Sequence, residues 1–339
     1  MKVLVVGGAG YIGSHTVRYL SRCGYQPVVY DNLSLGFAEA ITGVPLVVGD
    51  LHDQALLEQT LREHQIEAVV HFAAYALVGE SVNEPAKYYE NNVIGTFRLL
   101  QAMRSRGVTK LVFSSTCATY GVPAIVPIEE TQPQRPINPY GFTKLAVERM
   151  LQDFHRAYGL RYAALRYFNA AGATPTGDIG EDHTPESHLI PIVLQVALGQ
   201  RPHVTVFGTD YPTPDGTCIR DYVHVDDLAA AHERALARLE ELPAIEVNLG
   251  SGRGFSVREV IAECQQVTGR KIAVEFGPRR AGDPPQLVAK PDLAKTLLGW
   301  EPIHSSLTHI VQTAWGWHSS HPQGYATRQG KPRVVGDSR

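Results

Sequence analysis

The chain has 339 residues, of which 44% are hydrophobic, so it is long enough for one large or two ordinary domains with a buried core. Its 31 basic and 34 acidic side chains nearly balance, and no basic stripe is present. This balance argues against nucleic acid and anionic membranes as main partners.

Short apolar, β-branched runs alternate with helical stretches through the first half of the chain. Strands are predicted at 3–6, 27–30, 46–48, 68–71 and 110–114, and helices at 11–22, 53–64, 85–106 and 141–157. Strands this apolar are expected to be buried on both faces. The prediction is therefore an α/β fold of Rossmann type, a doubly wound parallel sheet with helices on either side.

The pattern changes in the second half. Residues 170–188 are rich in Gly, Pro and acids and predict a long loop, and shorter helices and strands follow at 189–198, 203–206, 226–239, 256–267 and 304–317. We predict a nucleotide-binding domain at 1–168, a smaller α/β substrate domain at 169–326 and a polar tail at 327–339. The stretch DYVHV (221–225) is expected to pair back with the first domain.

Cysteine usage and hydropathy indicate the cellular compartment. The four cysteines are scattered without a CxxC pair, which is typical of a reducing, cytoplasmic compartment. No apolar run approaches the roughly 18 residues of a membrane span, so no membrane anchorage is expected. The first strand begins at residue 3, so we expect no signal peptide. No histidine cluster has metal-ligand spacing with carboxylates or thiols, and no metal site is predicted.

A glycine-rich turn joins the first strand to the first helix, with Gly7, Gly10 and Gly13 in GxxGxxG spacing. Such glycines let the backbone approach a pyrophosphate at a helix N-terminus, although a tight turn alone also explains them. Asp31 ends the second strand, where a carboxylate accepts both adenosine ribose hydroxyls and repels a 2′-phosphate. The pattern predicts NAD rather than NADP. Asp50 and Leu51 either flank the adenine or form a helix cap and a core position.

Tyr140 and Lys144 follow Pro139 in a predicted helix, so they lie one above the other on one face. The pKa of a free phenol is about 10. One positive charge about 4 Å away contributes on the order of 4 kcal/mol at an effective dielectric of about 20. Lys144 together with an oxidised nicotinamide is therefore expected to lower the pKa of Tyr140 and make it a base. A surface tyrosine packed on a lysine stem is the alternative, which the preceding nucleotide motif disfavours.

The fifth predicted strand runs into a turn rich in hydroxyls, FSSTCATYG (113–121). The carboxyl ends of such strands are where open α/β sheets bind ligands. We expect Thr116 to hydrogen-bond the reacting oxygen beside Tyr140, and Ser114 and Ser115 to satisfy backbone or cofactor groups. No Asp or Glu lies in this turn, and no histidine partner is spaced to make Cys117 a nucleophile.

Together these motifs resemble the extended short-chain dehydrogenase/reductase family over about residues 1–325. Five further stretches are similar to members that epimerise UDP-hexoses at C4: VGESV (78–82), ENNVIGT (90–96), RYFNAAGA (166–173), FGTDYPTPDGTCIRDYVHV (207–225) and RRAGDPP (279–285). The resemblance implies a tightly held NAD, UDP-glucose or UDP-galactose as substrate, and oxidation to a 4-keto sugar followed by hydride return to the opposite face.

The resemblance also implies roles for individual residues. Tyr140 is the base, Lys144 binds the nicotinamide ribose, and Thr116 orients the sugar. The implied cofactor contacts are Gly7, Gly10, Tyr11, Ile12, Gly13, Asp31, Asn32, Asp50, Leu51, Phe72, Ala73, Ala74, Asn91, Ser114, Tyr140, Lys144 and Phe168. The implied substrate contacts are Thr116, Tyr140, Asn169, His188, Leu189, Phe207, Arg220, Arg280, Asp283 and Leu287. Arginine forks suit a pyrophosphate, and Asp accepts from ribose hydroxyls. An Arg220–Asp221 loop ion pair and a core role for Phe207 are the alternatives.

Three positions depart from the family pattern. Thr116 stands where many relatives carry Ser, Ala76 where several carry Lys near the cofactor phosphates, and His188 where Asn is common. Leu287 lies at the position that gates room for a 2-acetamido group, and its intermediate size predicts a preference for glucose and galactose.

Related functions and assembly are also implied by the resemblance. A 4,6-dehydratase of the same family would need acids after the strand-end hydroxyl, and an epimerase for a UDP-N-acetylhexosamine or UDP-pentose is the nearer alternative. A homodimer and a role in galactose metabolism are expected. The family dimerises through helices equivalent to 85–106 and 141–157. Their second apolar face carries Leu99, Met103, Met150 and Phe154, which either form that interface or pack within the domain.

Overall fold

A computed structural model describes residues 1–280 and 283–326, so the predicted tail at 327–339 lies outside the described residues. The strands are β1 (Lys2–Val6), β2 (Gln26–Asp31), β3 (Leu46–Val48), β4 (Ala68–His71), β5 (Lys110–Thr116), β6 (Arg161–Tyr167), β7 (Asn169–Ala171), β8 (Val204–Phe207), β9 (Ile219–His224), β10 (Ala244–Leu249), β11 (Gly254–Ser256), β12 (Val274–Gly277) and β13 (Gln286–Leu287). The helices are α1 (Tyr11–Arg22), α2 (Gln54–Glu63), α3 (Val78–Asn83), α4 (Pro85–Tyr88), α5 (Gly95–Ser105), α6 (Pro139–Tyr158), α7 (Leu189–Ala197), α8 (Val225–Arg238), α9 (Val257–Thr268), α10 (Asp292–Leu298) and α11 (Leu307–Ser320).

Seven strands form one parallel sheet in the order β10-β6-β5-β4-β1-β2-β3. Its central strands are buried on both faces, as their continuous apolar sequences predicted. Helices α1 and α8 cover one face, and α2, α5 and α6 cover the other. This confirms the predicted Rossmann-type α/β fold. The strand order reverses between β1 and β4, which opens a crevice at their carboxyl ends.

The chain returns to this sheet after residue 168, but not where the sequence predicted. Strand β9, which contains most of 221–225, pairs with β7, β11 and β13 in a separate sheet. The returning elements are α8, which packs on α1, and β10, which pairs with β6. Glu246 and Asn248 interrupt the apolar pattern of β10, so the sequence did not predict this strand. Both side chains have polar partners that only the fold brings near.

Behind the carboxyl edge of the main sheet lies a second layer. It contains the β7, β9, β11 and β13 sheet and the β8–β12 pair, packed with α7, α9 and α11 around one apolar cluster. Among residues 1–280 and 283–326, none of the helices combines the length and apolar character that crossing a bilayer requires.

The predicted helix at 85–106 is divided by a π-helical turn at Tyr89–Ile94. Within this turn, the side chain of Asn92 accepts from the Tyr75 amide (2.9 Å) and donates to the Thr143 hydroxyl (3.1 Å). The wider turn thereby fastens the chain after β4 to helix α6. Such turns are frequent at functional sites.

Candidate functional site

The turn from β1 to α1 has no room for a Cβ at three positions, Gly7, Gly8 and Gly13. Gly7 has a φ of +77°, and a Cβ there would lie 2.4 Å from the Ala73 amide nitrogen. A Cβ on Gly13 would lie 2.2 Å from the Gly7 carbonyl oxygen. At Gly10 the nearest atom to such a Cβ is 3.4 Å away, and no side chain caps α1 there. The first amides of α1 therefore remain available to an anion.

One cleft extends from this turn across the carboxyl ends of β1, β2 and β4. Of the predicted cofactor contacts, it is lined by Gly7, Gly10, Asp31, Asn32, Asp50, Leu51, Phe72, Ala73, Ala74 and Asn91. Its other lining residues include Ser34, Leu35, Gly36 and Tyr75, which sequence reasoning missed. The sequence feature that could have indicated residues 34–36 was Gly36. The fold leaves no room for a side chain there, since a Cβ would lie 2.8 Å from the Ala9 carbonyl carbon.

Asp31 is buried at the end of β2 and fixes two loops. Its carboxylate accepts from the Ala9 amide in the glycine turn (2.9 Å) and from the Leu33 amide (2.8 Å). Next to it, Asn32 donates to the Asp50 carboxylate at 2.8 Å. Burial opposes ionisation of Asp50, but hydrogen bonds from His52 and Asn32 outweigh it and lower the pKa of Asp50. The carboxylates of Asp31 and Asp50 thus line the end of the cleft where an adenosine ribose would lie, and the lowered pKa favours the ionised form of Asp50.

Helix α6 carries the predicted catalytic pair. Asn138 caps it by accepting from the Gly141 amide (2.8 Å), and Pro139 occupies its first turn. The buried Lys144 ammonium donates to the Ser114 carbonyl at 2.8 Å. The Thr116 hydroxyl at the end of β5 lies close enough to the Tyr140 phenol to lower its pKa. The structure therefore brings Tyr140, Lys144 and Thr116 together.

In the chain without cofactor, burial shifts the pKa values of both Tyr140 and Lys144. Burial, and then Tyr167, raise the pKa of Tyr140 above its ordinary value, whereas the nearby Thr116 hydroxyl lowers it. Burial lowers the pKa of Lys144 from 10.5 to about 7. Burial thus disfavours both charged forms in the chain without cofactor, the Tyr140 phenolate and the Lys144 ammonium. The expectation joined Lys144 with an oxidised nicotinamide, so it stays a prediction for the protein with NAD bound.

Below the pair lies a buried ionic network that sequence reasoning missed. Glu148, one turn after Lys144, receives hydrogen bonds from Arg166 (2.7 Å) and from Ser115. Arg166 also donates to the Tyr120 hydroxyl at 3.0 Å. The negative charge of Glu148 raises the pKa of Lys144 against the larger effect of burial. The signal was the i, i+4, i+8 spacing of Tyr140, Lys144 and Glu148.

The remaining predicted cofactor residues are not among those that line the cleft. Tyr11 donates to the Gly172 carbonyl at 2.6 Å, and Ile12 packs against the core under the sheet. Ser114 is hydrogen-bonded to the Tyr167 hydroxyl. Phe168 is buried with Cys117 in an apolar cluster. Burial raises the pKa of the Cys117 thiol to about 12, so this thiol is neither a nucleophile nor a proton donor near neutral pH.

Charged groups predicted to bind substrate meet at the ends of β8 and β9. Arg220 forms an ion pair with Asp283, which replaces the alternative pairing with Asp221. The Arg280 guanidinium lies 4.0 Å from the centroid of the Phe207 ring. The Asp283 amide donates to the Arg280 carbonyl at 3.3 Å and so joins the two pairs. Two arginine forks and one carboxylate suit a pyrophosphate and a ribose.

The other predicted substrate residues are distributed around this group. Leu287 pairs with Arg220 across β13 and β9 and packs on the apolar cluster of Phe168 and Cys117. Asn169 begins β7, and Leu189 begins α7. His188 contacts Glu181 (2.6 Å) and Glu186 (3.4 Å) rather than the arginines.

Comparisons with known proteins agree with this geometry. Residues 3–250 match the family model described as "NAD dependent epimerase/dehydratase family". The UDP-glucose 4-epimerase of Halalkalibacterium halodurans is 57% identical over 328 residues, which are 96% of this chain and 98% of the relative. The Brucella ovis UDP-glucose 4-epimerase, solved in complex with NAD, has a TM-score of 0.91 at 54% identity, covering 93% of this chain and 97% of that one. The Bifidobacterium longum UDP-glucose 4-epimerase, solved with NAD+ and UDP, has a TM-score of 0.92 at 38% identity, covering 96% and 100%.

Proposed function

The chain belongs to the NAD dependent epimerase/dehydratase family, and on that premise we propose that it interconverts UDP-glucose and UDP-galactose. It is an NAD-dependent epimerase that inverts C4 of a UDP-hexose. The observation that carries the proposal is the meeting of the Tyr140 and Thr116 hydroxyls at the end of β5. No acid occurs at 113–121, where they meet.

The cleft fits a dinucleotide in three respects. The backbone at Gly10 is open to a pyrophosphate, the α1 amides are uncapped, and the Asp31 carboxylate is fixed by two amides where a ribose would lie. We propose that the predicted cofactor contacts hold NAD through these groups. Lys144, whose amine lies over β5, would bind the nicotinamide ribose.

Substitution of Asp31 by Ser is expected to weaken NAD binding by roughly tenfold or more, because a charge-assisted acceptor is lost. It also raises the relative affinity for NADP, since the carboxylate no longer repels a 2′-phosphate. Fluorescence titration with both dinucleotides measures the change. Asp53→Asn is the matched control, because Asp53 caps α2 and Asn caps equally well. Unchanged NAD affinity in Asp31→Ser would remove the residue from the cofactor site.

The residues of the chain divide the proton chemistry among them. Tyr140 removes the proton of the sugar C4 hydroxyl, and Thr116 holds the same oxygen by a hydrogen bond. NAD supplies the redox chemistry: it accepts the C4 hydride and gives it back to the opposite face of the 4-keto sugar. Tyr140 then returns the proton, and because the hydride also returns to C4 the reaction has no net oxidation. Arg220, Arg280 and Asp283 would hold the UDP group while the hexose turns over.

The turn after β5 distinguishes epimerisation from dehydration. Elimination of water needs a proton donor and an acceptor next to the keto sugar. The positions after Thr116 are Cys117, whose thiol is buried and neutral, and Ala118. Nothing in this turn supplies the acid, which favours simple reversal of the oxidation.

Conversion of UDP-galactose to UDP-glucose by the purified protein, without added NAD, tests the proposal. We expect UDP-glucose to form, with no 4-keto-6-deoxy sugar and no stoichiometric consumption of an external cofactor. If protein shown to contain NAD gives no UDP-glucose, the proposed function is wrong.

Leu287 is expected to set the preference between hexoses and N-acetylhexosamines. It contacts the cluster of Phe168 and Cys117, next to Thr116 in sequence. Leu287→Ser should raise kcat/KM for UDP-N-acetylglucosamine by about tenfold, and Leu287→Tyr should abolish the weak activity expected of the wild type, while UDP-glucose turnover changes little. Leu293, which packs elsewhere in the core region, provides a control as Leu293→Ser. Equal wild-type rates on both sugars would contradict the assignment.

We also propose two domains, 1–168 and 169–326, with α8 and β10 returning to the first, and a cytoplasmic homodimer active in galactose metabolism. The four cysteines are unpaired, as a reducing compartment requires.

Leu99 and Met103 are core residues and not a dimer face. The exposed apolar side chains of this region are Tyr89, Ile94, Phe97, Phe142 and Tyr158. A monomer mass by sedimentation equilibrium at micromolar concentration would contradict the dimer.

A further inference from the structure

The loop before α7 places two carboxylates and two imidazoles at one point. Glu181, His183, Glu186 and His188 each direct one ligand atom inward, and these atoms all lie within 4.8 Å of one another. The pattern is E-x-H-x-x-E-x-H. No step of the epimerisation derived above uses this cluster as a whole.

The spacing of the four atoms is that of a metal site. The His183 Nδ1 lies 3.1 Å from Glu181 Oε1 and 3.9 Å from Glu186 Oε1. The His188 Nδ1 lies 2.6 Å and 3.4 Å from the same two oxygens. Ligands at about 2.0–2.1 Å from a tetrahedral Zn²⁺ are about 3.3 Å apart. The four distances are distributed around that value.

Burial of two carboxylates at this point requires compensating positive charge, which a bound cation or protonated histidines can supply. The side chains of Glu181 and Glu186 are only 4% and 3% exposed, so two carboxylates lie close together away from water. In the structure, both carboxylates form ion pairs with His183 and His188. Buried charges of one sign are tolerated only when they are paired or coordinate a metal. The histidine side chains, 31% and 46% exposed, lie at the solvent side, where an ion can enter.

The surroundings of the cluster hold the ligands in place. The Glu186 carboxylate accepts from the backbone amides of Ser187 (2.8 Å) and His188 (2.9 Å). The backbone carbonyl of Glu181 accepts from the Trp317 indole at 3.0 Å. Hydrogen-bonded ligands of this kind are the usual support of protein metal sites.

We propose that Glu181, His183, Glu186 and His188 form a structural Zn²⁺ site. Two imidazoles and two carboxylates match the ligand types and the coordination number that zinc takes in proteins, and four protein ligands leave no open position for catalysis. The ring of Tyr11, in the first turn of α1, lies 6.3 Å from the His183 ring, and Tyr11 also binds the Gly172 carbonyl. The ion therefore ties the loop at 172–188 beside the helix that begins the cofactor cleft.

Metal binding by the tag-free protein tests the site without reference to turnover. The protein is stripped with EDTA and titrated with Zn²⁺ against a chromophoric chelator. We expect one Zn²⁺ per chain, and an affinity at least about tenfold lower in Glu181→Gln and in His183→Gln. His203→Gln is the matched control, because His203 forms a similar histidine–carboxylate pair with Glu275 (3.1 Å) elsewhere on the molecule. It should bind like the wild type.

Two further readouts make the result decisive. Co²⁺ in place of Zn²⁺ should give the visible absorption of a four-coordinate nitrogen and oxygen site, lost in His183→Gln. Zn²⁺ should raise the Tm of the stripped wild type and not that of His183→Gln, whose partly exposed position makes misfolding a lesser concern. If the stripped wild type takes up no Zn²⁺, or if both variants bind it as the wild type does, the cluster is a set of ion pairs between protonated histidines and carboxylates, and the proposal is overturned.

Discussion

Tyr140→Phe is expected to lower kcat for UDP-galactose about 10³-fold, within the range that a general acid–base group contributes. The phenol is the only proton carrier that the account assigns to the C4 hydroxyl, and its neighbour in the structure is the Thr116 hydroxyl. Phenylalanine keeps the ring and removes the oxygen. Fold and NAD content should therefore be retained while turnover is lost, which a coupled assay for UDP-glucose measures.

Tyr158→Phe is the control for this substitution. Tyr158 lies on the same helix, is half exposed and packs against the Arg104 guanidinium at 4.0 Å. Its variant should turn over like the wild type. If Tyr140→Phe retains more than about a tenth of the wild-type kcat with NAD bound, another group carries the proton, and the assigned role of Tyr140 is wrong.

Lys144→Met is expected to lower kcat about 10²-fold and to move the rise of activity with pH to higher pH. A positive charge about 4 Å from a developing phenolate contributes on the order of 4 kcal/mol at a dielectric of about 20. Removing it leaves Tyr140 with the pKa that burial raises. The pH–rate profiles of wild type and variant, compared in kcat, measure the shift. Lys144→Arg, which keeps the charge, should recover part of the activity.

The stability of the cofactor-free chain gives an independent check on Lys144. Its pKa is about 7 when folded and 10.5 as the ordinary value, so between these pH values the unfolded chain binds the additional proton. The free energy of unfolding due to this group therefore increases as the pH rises from about 7 towards 10.5. In Lys144→Met this contribution disappears. An identical pH dependence of urea unfolding in the two proteins would contradict the assigned burial of the charge.

The parts of the site that could be predicted from sequence are those that local geometry determines. Gly13 is fixed by crowding against the Gly7 carbonyl within one turn, Gly7 by its positive φ, and Asp31 by its place at the end of β2. Tyr140 and Lys144 are one helical turn apart, so their spacing alone places them on the same face. In each case the chemistry is carried by residues close in sequence, on an element whose type the apolar pattern predicts.

The parts that could not be predicted depend on contacts between distant segments. The Glu148–Arg166 pair joins α6 to β6, and the helical spacing that links Glu148 to Lys144 does not indicate that its partner lies on β6. The π-helical turn at Tyr89–Ile94 follows from the bonds of Asn92 to the chain after β4 and to α6. The raised pKa of Tyr140 is a consequence of burial, which a spacing argument does not contain.

The fate of the C4 hydrogen is the most direct test of the proposal that C4 is inverted by removal and return of the same hydride. UDP-galactose labelled with deuterium at C4 is converted by the purified protein in ordinary water, and the UDP-glucose formed is examined by mass spectrometry and NMR. The product is expected to keep the deuterium at C4, because the hydride leaves and returns while only the hydroxyl proton exchanges through Tyr140. Product that carries hydrogen from water at C4 would contradict this proposal.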